Sequence, residues 1–141
     1  METLYTAIVT ATGGRNGHVK SDNGILDLEV RIPKGLGGAN DNYTNPEQLF
    51  AAGYSACFDS ALNGVIQAEK VKTGITTVEA NVSILKSETV GFHLAVKLNV
   101  NIPGVSIEQA NEFTQKAHQV CPYSNATRNN IEVELITTNH D

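Results

Sequence analysis

Asn45-Pro46-Glu47-Gln48-Leu49-Phe50-Ala51-Ala52-Gly53-Tyr54-Ser55-Ala56-Cys57-Phe58 is the stretch that decides the fold. Asn45 suits a helix cap, Pro46 suits the first helical position, and Gln48 stands where a capping box wants Glu or Gln. The spacing predicts a helix from Pro46 to about Lys70. Between Pro46 and Gln67 its only charges are Glu47 and Asp59. One stripe is large (Tyr54, Phe58, Ala61, Val65) and another is small (Gly53, Ala56, Cys57, Ser60, Gly64). A helix apolar on most sides is buried on most sides. The expectation is a central helix wrapped by a sheet or by a second subunit, with Cys57 on it.

Upstream, Leu4 to Thr12 alternates as a strand, and Gly13-Gly14 breaks it. A second strand is expected from Arg15 to Lys20. Ser21-Asp22-Asn23-Gly24 has turn chemistry, and Ile25 to Ile32 reads as a third strand. Pro33 to Thr44, with Gly35, Gly37 and Gly38, reads as a loop. Downstream, Thr76 to Lys86 and Gly91 to Asn101 read as strands, with Val78, Ala80, Val82, Ile84 and His93, Ala95, Lys97, Asn99 as alternating sets. Ser106 with Gln109 opens a second helix that runs to about Val120. Cys121-Pro122 closes it, because a residue before proline is pushed out of helical geometry. Pro122 to Asn130 reads as a turn or short helix, and Ile131, Val133 and Leu135 mark a last strand. The order βββ-α-ββ-α-β is an α+β fold. The reading is one domain over residues 1–141, with a β-meander arm over 1–40 and an α/β core over 41–141.

Composition narrows the function. Lysine plus arginine is 10 and aspartate plus glutamate is 15, so the net charge is −5. An acidic chain argues against nucleic acid as a partner, since phosphate binding needs clustered positive charge. Hydrophobic residues at 40% and charged residues at 18% argue against a disordered tail. No stretch approaches the ~20 apolar residues that a membrane span needs. Met1-Glu2-Thr3-Leu4-Tyr5 carries an acid where a secretory signal carries a base. The expectation is a soluble, cytoplasmic protein with no membrane partner.

Two cysteines, Cys57 and Cys121, are the candidates for chemistry. Neither lies in a CxxC pair, and a reducing cytoplasm disfavours a permanent disulfide. Two inert buried thiols are the bland alternative. A reactive Cys57 must ionise, and a free thiol has a pKa of about 8.5. It sits roughly three turns into its helix, beyond the reach of the N-terminal dipole. It therefore needs a fixed cation, and there are three arginines: Arg15, Arg31 and Arg128. Arg31 falls on a polar strand face, Arg15 follows the Gly13-Gly14 break, and Arg128 is close to Cys121. The default reading of each is a surface salt bridge. His18, His93, His118 and His140 lack metal-site spacing, and His118 with Cys121 supplies only two ligands, so no metal is expected. There is no GxSxG elbow, no GxGxxG and no P-loop.

Three blocks together resemble a known family. They are Thr12-Gly13-Gly14-Arg15-Asn16-Gly17, the Asn45 to Phe58 helix block, and Val120-Cys121-Pro122-Tyr123-Ser124-Asn125-Ala126-Thr127-Arg128. In order and spacing they resemble the organic hydroperoxide resistance (Ohr) proteins of the OsmC-like superfamily, over essentially the whole chain. The Cys-Pro-Tyr-Ser block points to the Ohr branch rather than to OsmC itself. Asn16 stands where the family often has aspartate. The resemblance implies an OsmC-like fold in a tightly intertwined homodimer with its active sites at the interface. It implies a thiol peroxidase in which Cys57 matches the peroxidatic cysteine and Cys121 the resolving one. Arg15 and Glu47 match the pair that organises the thiolate. No bound cofactor is implied; the reductant is a lipoylated protein.

Such chemistry suits these residue types. A thiolate attacks one peroxide oxygen, and an arginine both lowers the thiol pKa and meets the shifting charge. The sulfenic acid formed condenses with a second thiol before it climbs to sulfinic acid. On one straight helix Glu47 and Cys57 lie roughly 15 Å apart along the axis. Either the helix starts later or bends, or the site draws on both chains. An apolar pocket beside Cys57 favours organic hydroperoxides, with Tyr54, Phe58 and Tyr123 as candidate walls. Three alternatives remain: a non-enzymatic protein (a thiol redox sensor without turnover, or a small-molecule carrier on the same fold), an OsmC-type peroxidase of broader specificity, and inert structural thiols.

Overall fold

The computed structural model describes residues 1–141 and falls into two compact units, Met1–Leu49 and Phe50–Asp141. The first unit is an antiparallel meander of β1 (Val9–Thr12), β2 (Gly17–Ser21) and β3 (Asp27–Val30). Val9 faces Ser21 across the first pair and Val19 faces Leu28 across the second. The predicted first strand is shorter than Leu4 to Thr12. β2 ends at Ser21, so the residues before Val9 have almost no ladder partner in this chain, and Leu4 and Tyr5 are exposed. The predicted second strand also loses its start. Gly13 and Gly14 both take positive φ (78° and 62°), and Gly14–Asn16 forms a 3₁₀ turn that carries Arg15. Only glycine adopts two such residues in succession without strain.

The helix α1 spans Pro46–Ala68. Asn45 Oδ1 accepts the Gln48 amide at 2.9 Å, which caps it as expected. The Gln48 side chain does not close the capping box; its Oε1 accepts the Thr44 hydroxyl at 2.8 Å. The helix stops two residues before Lys70, which turns the chain out at φ 57°.

In the second unit, β4 (Thr77–Ser87) and β5 (Gly91–Asn101) form a long antiparallel hairpin, and β6 (Val133–Thr138) joins β5 in parallel. A parallel neighbour needs a crossover. Here it is α2 (Ile107–Val120) followed by α3 (Pro122–Thr127). Ser106 Oγ accepts the Gln109 amide at 3.2 Å, so the predicted cap on α2 is present. The core sets Tyr54, Phe58, Leu62 and Ile66 of α1 against Val96, Leu98 and Val100 of β5 and Phe113 of α2. No helix is long and apolar enough to cross a membrane.

Within the single chain, helix α1 is buried along one i, i+4 stripe and not on most sides. Ala52, Ala56, Ser60 and Gly64 on the opposite face are exposed in the chain. Its one interior charge is anchored, since Asp59 Oδ1 accepts the Thr76 hydroxyl at 2.6 Å. The core stripe is the test of this packing. Leu62 is fully buried, so Leu62→Ala is expected to destabilise the fold by about 3 kcal/mol in urea unfolding. A shift below about 1 kcal/mol would mean that the site collapses or is not packed as described.

Candidate active site

Cys57 and Cys121 come together across the second unit. Their sulfurs are 3.7 Å apart, and both thiols are free. Cys57 is half-buried on α1 and Cys121 is fully buried. Cys121 occupies the corner between two helices. Pro122 stops α2, and Cys121 at φ −64°, ψ 122° is at once the last cap of α2 and the first cap of α3. A disulfide needs the sulfurs to close from 3.7 Å to ~2.05 Å.

A polar network lies behind that corner. The Tyr54 hydroxyl bonds Ser124 Oγ at 2.8 Å and Thr127 Oγ1 at 3.0 Å. Ser124 Oγ also bonds His118 Nδ1 at 2.9 Å. Arg128 donates to the His118 carbonyl and to Asn125 Oδ1. Burial, helped by the Arg128 charge, pulls the His118 pKa below its ordinary 6.5, so the ring is neutral near pH 7. Arg128 is thus a clamp on the α2–α3 corner, not the expected surface salt bridge. Tyr54 and Phe58 are core residues with no exposure, so they do not wall a pocket at the thiol.

The thiol's electrostatics are incomplete within this unit. Burial pushes the Cys57 pKa above its ordinary 9.0, and Cys121 adds to the rise. The backbone amide of Tyr123, in the first turn of α3, acts in the opposite sense. Cys57 opens onto a groove of about 520 Å³ lined by Ser60, Ala61, Gly64, Val120 and Pro122. A larger apolar cavity of about 750 Å³ is walled by Phe50, His93, Leu94, Tyr123 and Ile131. No cluster of His, Cys, Asp and Glu could hold a metal ion.

Arg15 and Glu47 meet in the first unit. The guanidinium makes two parallel bonds to the carboxylate, at 2.8 and 2.6 Å. This is the bidentate geometry that arginine alone provides. The Arg15 hydrogen bonds are the main cause that lowers the Glu47 pKa from 4.5, against the opposing effect of burial; Glu47's own backbone amide helps. The same bonds raise the Arg15 pKa. Arg31 is not a solvated strand residue. It donates to the Gly17 and Val30 carbonyls at 2.9 and 2.7 Å, pairs with Glu29, and lies 4.9 Å over the Tyr43 ring.

The sequence reading did not foresee the Tyr54–Ser124–His118 network. The available signal was the spacing of Ser124 and Thr127, three apart in a short helix after a proline, opposite a tyrosine one turn from Cys57.

Comparison with known proteins agrees with this architecture. Residues 38–136 match the model of the OsmC-like protein family. The organic hydroperoxide resistance protein OhrA of Bacillus subtilis is 52% identical over 135 residues, 94% of each chain. That of Xanthomonas axonopodis pv. citri is 47% identical over 133 residues, 94% of this chain and 93% of its own. The crystal structure of an organic hydroperoxide resistance protein from Elizabethkingia anophelis superposes with a TM-score of 0.95 at 69% identity, covering 99% of this chain and all of that one. The chain belongs to the OsmC-like family, in its organic hydroperoxide resistance branch.

The Arg15–Glu47 pair predicts a pH dependence. A carboxylate whose folded pKa is depressed contributes stability above its ordinary value, here 4.5. That contribution is lost as pH falls below it, through the folded pKa. In urea unfolding between about pH 5 and about pH 3, Glu47→Gln is expected to lose less stability than the parent. Parallel acid limbs for the two proteins would contradict the pairing.

Proposed function

We propose that this protein is a thiol peroxidase that reduces organic hydroperoxides to alcohols. The observation that carries the reading is the pair of free thiols 3.7 Å apart, one reachable and one buried. The names of its relatives support the substrate class.

In the proposed cycle the Cys57 thiolate attacks one oxygen of ROOH, the O–O bond breaks, and ROH leaves after taking a proton. Cys57 becomes a sulfenic acid. Cys121 then attacks that sulfur, water leaves, and a disulfide forms. A dihydrolipoyl dithiol on a partner protein exchanges with it, restoring both thiols and leaving the lipoyl disulfide. Arg15, held by Glu47, supplies the cation that Cys57 needs to ionise and hydrogen-bonds the peroxide oxygens.

The functional unit is a homodimer in this reading. Helix α1 begins at Pro46 and runs on to Ala68, so Glu47 and Cys57 are ten residues apart on it. That is roughly 15 Å of rise, more than one arginine spans. A second copy can deliver the Arg15–Glu47 pair to the thiol. The exposed apolar residues Leu4, Tyr5 and Ile8 and the uncovered face of α1 support this arrangement.

Adding one equivalent of an alkyl hydroperoxide to reduced protein is expected to consume both thiols. Dihydrolipoamide should then sustain peroxide consumption, and Cys57→Ser should abolish it. Retained thiols would overturn the peroxidase reading; thiol loss without turnover would overturn the lipoyl reductant. Arg15→Gln is expected to slow the hydroperoxide reaction by about 10²-fold or more.

Substrate choice is a separate expectation. Each CH₂ moved from water into the apolar surroundings is worth about 0.8 kcal/mol. Alkyl and fatty-acid hydroperoxides should therefore react much faster than hydrogen peroxide. Equal second-order rates in stopped-flow experiments would remove the apolar pocket from the account.

A further inference from the structure

The corner that presents Cys121 is fixed to α1 at two adjacent positions. At Tyr54 the hydroxyl bonds Ser124 and Thr127 of α3. At Gly53 a methyl group would stand 2.7 Å from the Tyr123 hydroxyl oxygen and 3.0 Å from Cε2. The Tyr123 ring therefore lies against bare helix backbone. It is held there by Phe50 and Tyr54, with ring centroids 6.4 and 5.8 Å away. Glycine is unfavourable inside a helix relative to alanine, so position 53 has a reason of space. That reason sits next to the chemistry. Cys57 lies one turn beyond Gly53 on the same face of α1, and Cys121 lies two residues before Tyr123.

We propose that Gly53 and Tyr123 are positioning residues for the dithiol. The ring seated on Gly53 sets the depth of α3 against α1, and so holds the Cys121 sulfur within closing distance of Cys57. An added methyl would lift the ring, carry α3 outward and open the sulfur pair. Disulfide closure is sensitive to such a shift, because the bond tolerates a narrow range of Cβ separations. The seat acts on the dithiol itself; its part in turnover rests on the peroxidase reading.

The test uses the full-length protein in mixtures of reduced and oxidised glutathione, with no hydroperoxide present. The equilibrium is Cys57–SH plus Cys121–SH plus glutathione disulfide giving the intramolecular disulfide plus two glutathione thiols. Each side balances in atoms and in two electrons. Gly53→Ala is expected to lower the equilibrium constant by about tenfold or more. Tyr123→Phe keeps the ring and should change it by less than about threefold, whereas Tyr123→Ala should lower it about as far as Gly53→Ala does. In the Tyr123→Ala background there is no ring to lift, so Gly53→Ala should add less than about twofold. A parent-like constant for Gly53→Ala would overturn the proposal. So would an equal loss from Gly53→Ala in both backgrounds, which would place the effect in the helix itself. A purely structural role would change thermal stability and leave the redox equilibrium unmoved, which would overturn the proposal. If circular dichroism shows that Gly53→Ala does not fold, Tyr123→Ala decides alone, and a parent-like constant for it overturns the seat. Because the oxidant is glutathione disulfide, failure of the peroxidase reading would leave this result interpretable.

Discussion

The bend at Cys121-Pro122 is the constraint on which the rest of the second unit depends. Proline removes a backbone donor and pushes its predecessor out of helical geometry. Cys121 therefore ends one helix and starts another, and its side chain points into the core instead of along a helix surface. Had α2 continued, Ser124 and Thr127 would have travelled with it, away from the Tyr54 hydroxyl. The bend folds them back onto α1, where three hydroxyls and one imidazole satisfy one another in a buried site. Buried polar groups left without partners are costly, so this network favours one angle of the corner over its neighbours. At that corner the Cys121 sulfur lies 3.7 Å from the Cys57 sulfur.

The electrostatics divide between the two units. The second holds a dithiol whose reachable member is pushed away from ionisation by its own burial. The first holds a guanidinium fixed by a carboxylate in the first turn of α1. A negative side chain there is favoured by the helix dipole, so Glu47 is a stable base on which to orient an arginine. Neither half alone meets the needs of the proposed chemistry. A neutral thiol is a poor nucleophile, and a guanidinium without a thiolate has nothing to activate. The proposed activity needs both, and this is why it is bound to the proposed assembly.

Much of the fold was legible because its signals are local. The Asn45-Pro46 start of α1, the Ser106 cap of α2 and its stop at Cys121 depend on residues within one turn of each other. The long hairpin followed from alternation. What escaped the reading depends on residues far apart in sequence. The first strand is short because pairing, not alternation, defines a strand. Arg31 is a clamp because the Gly17 carbonyl and the Tyr43 ring, both from other segments, converge on it. The two cysteines are 64 residues apart, and no periodicity brings such positions together. Their pairing was legible only through resemblance to a family. The Tyr54 network was invisible for the same reason, since its members are ordinary residues of three separate helices until the chain crosses itself.

Helix α1 also shows how far one chain accounts for its own sequence. Two glycines interrupt it, each unfavourable in a helix interior. Gly53 is explained within the chain, because Tyr123 occupies the space that a methyl would take. Gly64 meets nothing within 4 Å, and it lies on the exposed face with Ala52, Ala56 and Ser60. Small residues in such a row let another backbone approach closely, and water needs no such row. A second copy of the chain would give Gly64 the reason that Tyr123 gives Gly53. It would also cover the face that the apolar composition of α1 led us to expect buried. The homodimer proposed above would resolve the mismatch between composition and burial that the single chain leaves.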